Sequence, residues 1–371
     1  MGASTHGSGA LLLIAALLSA GPARAVEVVR ISVGPGVAEV ELSGPGLAAE
    51  SLREGAERQR VAGGRARLRL DGERLFLDGK PVDGAGLLFT SSGSIRCRGR
   101  DLSGEVEVRR APDGLSVIDV LPMESYVAAV VGGEMPPSFP AEALKAQAVA
   151  ARTFAVGKKI EARELGLDFD LGSTVLDQVY PGAGKADPRA RAAAEATAGE
   201  VLVKDHRPIE AYFHSACGGR TERGADALGR DLSYLPSVPC DRCQGSPSWR
   251  WTVRIPAAEV GRAAGLPGPA TRLAVTQATS TGRAARLSVE GGGAKVVLDG
   301  KEFRRRIGYG RLPSLAFSVT LTKGVFVLTG RGMGHGAGMC QWGAAGWAKA
   351  GEGYRAILSR YYPGAEITRM Y

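Results

Sequence analysis

The chain contains one acidic residue in an unusual setting. Glu134 lies between two glycines and two prolines, in the segment Gly132-Gly133-Glu134-Met135-Pro136-Pro137. Pro122 to Val131 has the pattern of a helix that begins with proline and is stopped by the glycine pair. A long Ala-rich helix, capped by Ser138, is expected from Ser138 to Lys159. The carboxylate would lie at a stiff junction between two helices, which suits a catalytic acid; an ordinary surface charge is the alternative.

Four residues have the spacing of a zinc site. His214 and Cys217 are separated by two residues, and so are Cys240 and Cys243. Two such pairs can place four nitrogen and sulphur donors around Zn²⁺ as a tetrahedron. Four protein ligands leave no open position, so the metal would be structural and not catalytic. A disulfide or redox pair at Cys240 and Cys243 is the alternative, although five cysteines, an odd number, argue against a complete disulfide framework.

A glycine-rich stretch near the C-terminus is the third candidate. Glycine occupies alternate positions from 330 to 338, so a ligand or another backbone could approach one face of an extended segment closely. The segment lacks the Lys-Ser/Thr ending of a phosphate-binding loop. It contains His335, for which a role in ligand binding and a purely structural role both stay open.

The N-terminus and the charge predict an exported protein. Leu11 to Ala20 is apolar and is followed by Ala23-Arg24-Ala25, so residues 1–25 are expected to be a secretory signal and the mature chain to reside in the periplasm or cell envelope. A buried or membrane-lying N-terminal helix is the alternative. No later apolar run approaches the length of a membrane span. The net charge of +9 favours an anionic envelope polymer over nucleic acid, for which interleaved aromatic and basic residues are missing.

The elements that would position these residues predict an α+β fold. Residues 26–110 alternate apolar and polar positions between turn signals, which indicates an accessory β region. A third central helix is expected over Pro188–Ala198, and strands return over about 250–329 as a β insertion. A single helix over Ala344–Tyr361 would close the chain. Residues 111–371, with the insertion, are assigned to one domain.

Several separated blocks between Asp119 and Tyr371 resemble the stage II sporulation protein D (SpoIID/LytB) family of peptidoglycan-acting proteins. The blocks are Val130–Pro136, Leu144–Thr153, Gln178–Gly182, Tyr212–Gly219, Gly332–Gly343 and Tyr361–Gly364. The resemblance implies a lytic transglycosylase that cuts glycan strands lacking stem peptides, with Glu134 as the catalytic acid, Arg152 in support and zinc near His214 and Cys217. The family also includes activators of cell-wall amidases, so a non-catalytic enhancer that binds glycan, with an amidase as its partner, is the alternative.

The mechanism implied by this resemblance needs one carboxylate and no catalytic cofactor. In a lytic transglycosylase the sugar's own hydroxymethyl oxygen attacks, so no water has to be activated. Glu134 would protonate the glycosidic oxygen and then accept the hydroxyl proton, leaving a 1,6-anhydro end. The groove would be lined by Arg152, Gln178, Tyr180, His335 and Gln341. A thiol oxidoreductase that uses Cys240 and Cys243 is a third hypothesis.

Overall fold

The structure, a computed structural model, describes residues 26–34, 36–172, 180–182 and 186–371. Helices and strands are both abundant and are not arranged in regular β-α-β units, which confirms the α+β class. The expected signal segment, residues 1–25, and the expected substrate-binding residue Gln178 lie outside the described residues. Within those residues, no helix is both long and apolar enough to span a bilayer.

The N-terminal region is a pair of antiparallel sheets with a core between them. Its strands are β1 (Val28–Ser32), β2 (Glu39–Ser43), β3 (Ala48–Ser51), β4 (Gln59–Arg60), β5 (Arg65–Asp71), β6 (Arg74–Leu77), β7 (Lys80–Val82), β8 (Gly86–Thr90), β9 (Ile95–Cys97), β10 (Arg100–Leu102), β11 (Glu105–Ala111) and β12 (Gly114–Pro122). One sheet has the order β1-β12-β11-β8-β3-β4 and the other β10-β9-β2-β5-β6-β7. Alternate residues such as Val40, Leu42 and Leu68 point into the shared core. The expected β region is confirmed, and β12 extends it to the start of the first helix.

The centre of the molecule is built on one long helix. Its elements are α1 (Met123–Glu134), α2 (Ala141–Glu164), β13 (Leu171–Gly172), α3 (Pro188–Ala196), β14 (Glu200–Lys204), β15 (Arg207–Pro208), β16 (Phe213–His214) and α4 (Gly224–Leu228). Fifteen of the 24 residues of α2 are buried, so neighbours enclose this helix on nearly all sides. Alanine permits this because its side chain lets other backbones approach closely. β13 pairs in parallel with β1 and joins the centre to the first sheet.

Two boundary predictions for these helices are wrong. Gly132 and Gly133 lie inside α1, which ends at Glu134, because the next residue, Met135, is extended. The N-cap of α2 is Pro140, which offers no side-chain hydrogen bond, and not Ser138. The Gly-Gly pair therefore does not stop the helix.

The insertion has its own core and contains helices as well as strands. Its elements are β17 (Trp251–Pro256), α5 (Ala257–Ala264), β18 (Arg272–Ala278), β19 (Ala284–Gly291), β20 (Ala294–Asp299), α6 (Gly300–Ile307), β21 (Phe317–Thr322) and β22 (Val325–Gly330). They form two three-stranded sheets, in the orders β17-β22-β21 and β18-β19-β20. Apolar residues such as Val260, Leu287 and Phe303 fill the space between sheets and helices.

The C-terminal segment returns to the centre. It comprises β23 (Met339–Cys340), α7 (Gln341–Lys349), α8 (Tyr354–Tyr361) and β24 (Glu366–Arg369). β23 pairs in parallel with β16, and β24 pairs antiparallel with β14. The expected single closing helix is wrong, because it is divided into two at Gly351, whose φ of +93° cannot continue a helix.

A buried guanidinium connects these central elements. Arg152 of α2 has no exposed surface. It forms an ion pair with Glu124 at the start of α1 and donates to the carbonyl oxygens of Ala194 (3.0 Å) and Glu200 (3.1 Å) and to the Thr197 hydroxyl (3.4 Å). All five N–H groups of the guanidinium are thereby used. α1, the end of α3 and β14 are therefore fixed to one side chain.

Replacing Arg152 by Met should destabilise the protein by about 3–5 kcal/mol, because Glu124 loses its ion-pair partner and the hydrogen bonds to two buried carbonyl oxygens are lost. The free energy of unfolding in urea measures this. Arg163→Met, on an exposed position of the same helix, should change that free energy by less than about 0.5 kcal/mol. Equal effects of the two substitutions would contradict the assigned role.

Candidate functional site

Glu134 is held at a rigid corner. It is the last residue of α1 and is only partly buried. The chain after it is fixed at both ends: the Met135 N–H donates to the carbonyl oxygen of Val131 (3.0 Å), and the Phe139 N–H donates to that of Pro136 (3.0 Å). The Phe139 ring packs edge-on against Trp342 of α7, with centroids 4.9 Å apart. The expected stiff junction is present, and packing as well as proline produces it.

Two buried amides support the Glu134 carboxylate. The Gln341 side-chain Nε2 donates to Glu134 Oε2 (3.3 Å) and to Gln147 Oε1 (3.4 Å). Gln341 is only 5% exposed and Gln147 is fully buried. Because both hydrogens of the Gln341 amide are engaged, Gln341 orients the carboxylate and does not offer these donors to a sugar. Gln341 was expected in the groove, and the structure places it at Glu134.

The acidic residues that flank Glu134 in the chain are committed to structural contacts. Glu124 accepts from Arg152, from the Gly199 N–H (3.2 Å) and from the Tyr371 hydroxyl (2.7 Å). Glu142 forms an ion pair with Lys145 (2.7 Å) and accepts from the Tyr354 N–H (2.9 Å). Neither is available as a second catalytic carboxylate.

Arg152 and Tyr180, both expected to line the groove, are buried elsewhere. The contact between Arg152 and Glu124 lies ten residues before Glu134 on α1, about 15 Å along the helix. Tyr180 is 2% exposed, and its hydroxyl donates to the buried carboxyl of Asp119 at 2.6 Å. Burial raises the pKa of Asp119, against the hydrogen bonds from Ser103 and Tyr180. Contact of either residue with a glycan would require the core to open.

His335 lies beside His214, with ring centroids 5.6 Å apart. Its Nδ1 accepts from the Ala337 N–H (3.1 Å), so the proton is on Nε2, which donates to the Phe213 carbonyl oxygen (2.9 Å). His214 Nδ1 donates to the Ala337 carbonyl oxygen (3.0 Å). Burial lowers the pKa of His335 to about 4 and lowers that of His214 well below its usual range. Both rings are neutral at neutral pH and bind the backbone that surrounds them.

Four cysteines form one buried cluster. The sulphurs of Cys217, Cys240, Cys243 and Cys340 all lie within 4.8 Å of one another, and Cys217 and Cys243 are 3.5 Å apart. A tetrahedral zinc site with Zn–S bonds of about 2.3 Å needs sulphurs about 3.8 Å apart, so the arrangement fits that ion. Hydrogen bonding with Cys217 lowers the pKa values of Cys240 and Cys243, which favours their thiolates, the form that binds metal. Hydrogen bonding with Cys240 raises the pKa of Cys217, and burial raises that of Cys340.

The cluster differs from the expected ligand set in one member. Cys340 takes the place of His214, because the donor atoms that lie within 4.8 Å of one another include the Cys340 sulphur and no ring nitrogen of His214. All five cysteines are described and all are free thiols. The expected alternative, a disulfide between Cys240 and Cys243, is not formed. Complete burial also leaves no thiol of the cluster exposed for exchange with another protein.

The cluster adjoins the support of Glu134. Cys340 is the N-cap of α7, and its sulphur accepts from the Gly343 N–H (3.3 Å) and the Cys217 N–H (3.2 Å). The next residue is Gln341. A side chain at Gly343 would overlap Cys240 and Tyr361, so glycine allows the cluster to pack against the helix. The cluster thus sets where α7 begins and where Gln341 points.

The glycine-rich stretch before the cluster allows close backbone approach, as expected. A Cβ at Gly338 would overlap the carbonyl oxygen of Tyr212, and one at Gly332 would lie 2.6 Å from that of Ala216. The expected extended conformation is wrong, since both glycines have positive φ (+69° and +77°).

Comparison with known proteins identifies the family. Residues 111–203 match the model of the stage II sporulation protein family, and residues 243–338 match a domain of unknown function, DUF8618. Stage II sporulation protein D of Bacillus subtilis is 33% identical over 270 residues, covering 68% of this chain and 76% of that protein. The chain belongs to the stage II sporulation protein D family.

Two further proteins are similar to this chain. An uncharacterized protein of Brachyspira hyodysenteriae is 32% identical over 286 residues, which is 76% of each chain. An amidase enhancer of B. subtilis is 26% identical over 295 residues, covering 64% of this chain and 40% of that protein. These relationships support a role connected with the cell wall.

Three residues that build or support the candidate site were not predicted from the sequence. Gln147 was a polar residue in the Ala-rich helix, and its place between Leu144 and Ala151 on the buried face was a usable signal. Cys340 lies far from the other cysteines in the chain, so spacing could not include it. Glu124 carried no local signal, because its partner Arg152 lies on another helix.

The pH dependence of stability tests the neutral state of His335. Its pKa of about 4 is below the ordinary 6.5, so its contribution is complete above pH 6.5 and is lost as the pH falls toward 4. Between pH 7.5 and 5.0, His335→Gln should lose about 1–2 kcal/mol less unfolding free energy than the wild type. The control His206→Gln, at an exposed position, should lose as much as the wild type. An unchanged pH dependence in His335→Gln would contradict this account.

Proposed function

We propose that the protein is a lytic transglycosylase that cuts peptidoglycan glycan strands without stem peptides, after export to the cell envelope. The proposal rests on the setting of Glu134, a partly exposed residue at a fixed helix end. Gln341 supports its carboxyl group, and the carboxylates of Glu124 and Glu142, which flank it in the chain, are engaged elsewhere. A hydrolase that activates water normally needs two carboxylates. A transglycosylase needs one.

In the proposed reaction Glu134 acts twice. As the acid it gives its proton to the glycosidic oxygen, and the bond from that oxygen to C1 of the muramyl sugar breaks. The C6 hydroxyl oxygen of the same sugar then bonds to C1, and its proton passes to the Glu134 carboxylate. The products are a free hydroxyl end and a 1,6-anhydro end. No water is consumed, and Glu134 is again protonated for the next cut.

Gln341 and Gln147 have positioning roles in this scheme. The carboxyl group must stay within hydrogen-bond reach first of the leaving oxygen and then of the attacking hydroxyl. The Gln341 amide holds Oε2 of Glu134, and Gln147 fixes the Gln341 amide from the buried side.

The second candidate function is an amidase enhancer that binds glycan without cutting it. The relative of that name in B. subtilis favours it. The two functions separate by product: an enhancer leaves glycan length unchanged and raises the rate of a cell-wall amidase, whereas a transglycosylase produces anhydro ends without any amidase.

Glu134→Gln should reduce the formation of anhydro ends from purified denuded glycan by roughly 10²-fold or more, because the amide cannot supply the proton. Mass spectrometry of the products measures this. Glu142→Gln is the matched control; Glu142 holds Lys145 and Tyr354, so this variant should keep most of the activity. Anhydro ends formed by Glu134→Gln at the wild-type rate would falsify the assignment. Intact glycan with the wild type would favour the enhancer.

We also propose that the four-cysteine cluster binds one structural Zn²⁺. The four sulphurs match the donor type and count of closed zinc sites. A metal held there would connect Cys217, Cys240 and Cys243 to the start of α7 through Cys340, and so hold Gln341 against Glu134.

Elemental analysis of the purified protein should find about one zinc per chain. Cys340→Ser should lose the metal and lower Tm by roughly 5–10 °C, since zinc binding contributes directly to folding. Cys97→Ser alters a buried cysteine of the N-terminal region and should keep the zinc. His214→Asn should also keep it. Zinc retained by Cys340→Ser but lost from His214→Asn would restore the ligand set expected from the sequence.

A further inference from the structure

The positive charge of the protein is concentrated in the insertion. Residues 250–331 contain 14 Lys and Arg but only four Asp and Glu, a net charge of +10. The remainder of the chain has 33 Lys and Arg and 34 Asp and Glu, so it is close to neutral. An excess of one charge sign repels itself and destabilises the compact state. Binding of a negatively charged partner would explain why the insertion has this excess of positive charge.

The α5–α6 surface holds a cluster of these arginines. Phe303 and Ile307 turn one face of α6 into the core, and Arg305 and Arg306 are exposed on another. An open depression of about 310 Å³ between the two helices is lined by Glu259, Arg262, Ala263 and Arg306. We call Arg262, Arg305, Arg306 and Arg311 the arginine cluster.

The two carboxylates beside the arginine cluster already form ion pairs with its arginines. Glu302 accepts from both Arg305 (2.6 Å) and Arg306 (2.6 Å), and these hydrogen bonds lower its pKa to about 2. Glu259 forms an ion pair with Arg311. Three guanidinium groups thus share two carboxylates, and Arg262 adds a fourth positive charge, so the surface stays positive.

The fold does not depend on these arginines. The side chains of Arg305, Arg306 and Arg311 are 61%, 38% and 49% exposed, and Arg262 is exposed too. Ion pairs at such positions contribute about 0–1 kcal/mol. Arg304 differs, because it is mostly buried and donates to the carbonyl oxygens of Leu312 and Pro313 (both 2.8 Å). The exposed arginines can therefore exchange these weak contacts, including the hydrogen bond from Arg306 to the Ala263 carbonyl oxygen (3.1 Å), for a bound anion.

The insertion is attached beside the candidate site. The chain leaves the cysteine cluster at Cys243 and returns to it at Cys340, next to Gln341. Both ends of the insertion therefore lie next to the support of Glu134.

We infer that the arginine cluster binds the lactyl carboxylates of the glycan strand, an inference that rests on the proposed function. A strand freed of stem peptides bears one such carboxylate on every muramic acid, so it is a regular polyanion. The guanidinium group forms paired hydrogen bonds with a carboxylate. The strand would be held by charge at the insertion while Glu134 acts on another sugar bond of the same strand.

The test measures binding in the full chain carrying Glu134→Gln, which prevents cutting. The probes are denuded glycan, the same glycan with its carboxyl groups amidated, and poly(glycerol phosphate).

Arg262→Gln with Arg306→Gln should weaken binding of denuded glycan about fivefold or more, and amidation should weaken it similarly. Binding should also fall between 50 and 200 mM salt, over the range where screening becomes strong. The control pair Arg58→Gln and Arg74→Gln, exposed in the N-terminal region, should bind as the parent does.

Either of two results would overturn the inference: unchanged glycan binding by the Arg262/Arg306 variant whose Tm equals that of the parent, or equal binding of amidated and unmodified glycan. Tighter binding of poly(glycerol phosphate), with no effect of amidation, would show that the cluster recognises phosphates instead. Failure of the proposed function is distinguishable, because it shows as uncut glycan with the wild type while the charge-dependent binding persists.

Discussion

The arrangement of the central helices depends on one buried cation. Arg152 has no contact with water, so its charge is tolerable only because Glu124 neutralises it and three further acceptors complete its hydrogen bonds. Such a group has one acceptable geometry. It fixes the first turn of α1 against α2, α3 and β14, and because a helix is stiff, the opposite end of α1 is placed as well. Glu134 is that opposite end.

A second constraint acts on the other partner of the site. Gln341 is the first residue of α7, and the residue before it belongs to the cysteine cluster. Separate interactions thus position the Glu134 carboxyl group and the Gln341 amide. The buried Arg152–Glu124 ion pair acts at the start of α1, and the cysteine cluster acts at the start of α7. Gln147, on α2 between them, contacts the amide from within the core. Neither the Arg152–Glu124 ion pair nor the cysteine cluster includes Glu134 itself.

Local sequence patterns predicted what local forces determine. The alternation of β5, the Ala-rich composition of α2 and the Pro-rich corner after Glu134 all appear as expected. Predictions failed where distant residues decide. The Gly132-Gly133 pair stays helical within the packing of α1, and Arg152 is buried because its acceptors come from three other elements. His214 shares the spacing of a ligand, but Cys340 arrives from almost a hundred residues further along the chain and completes the cluster. The spacing of residues in a local motif cannot predict such a long-range contact.

The cysteine cluster also determines how the chain is divided. Cys243 and Cys340 enclose a segment whose ends meet at a single point, and residues 243–338 coincide with a separate family match. Lengthening a loop whose ends are already joined costs little, about 0.6 kcal/mol for each doubling. The length of the insertion therefore has little effect on the free energy of bringing Cys243 and Cys340 together. The contact between Glu134 and Gln341 therefore does not depend on the length of the insertion.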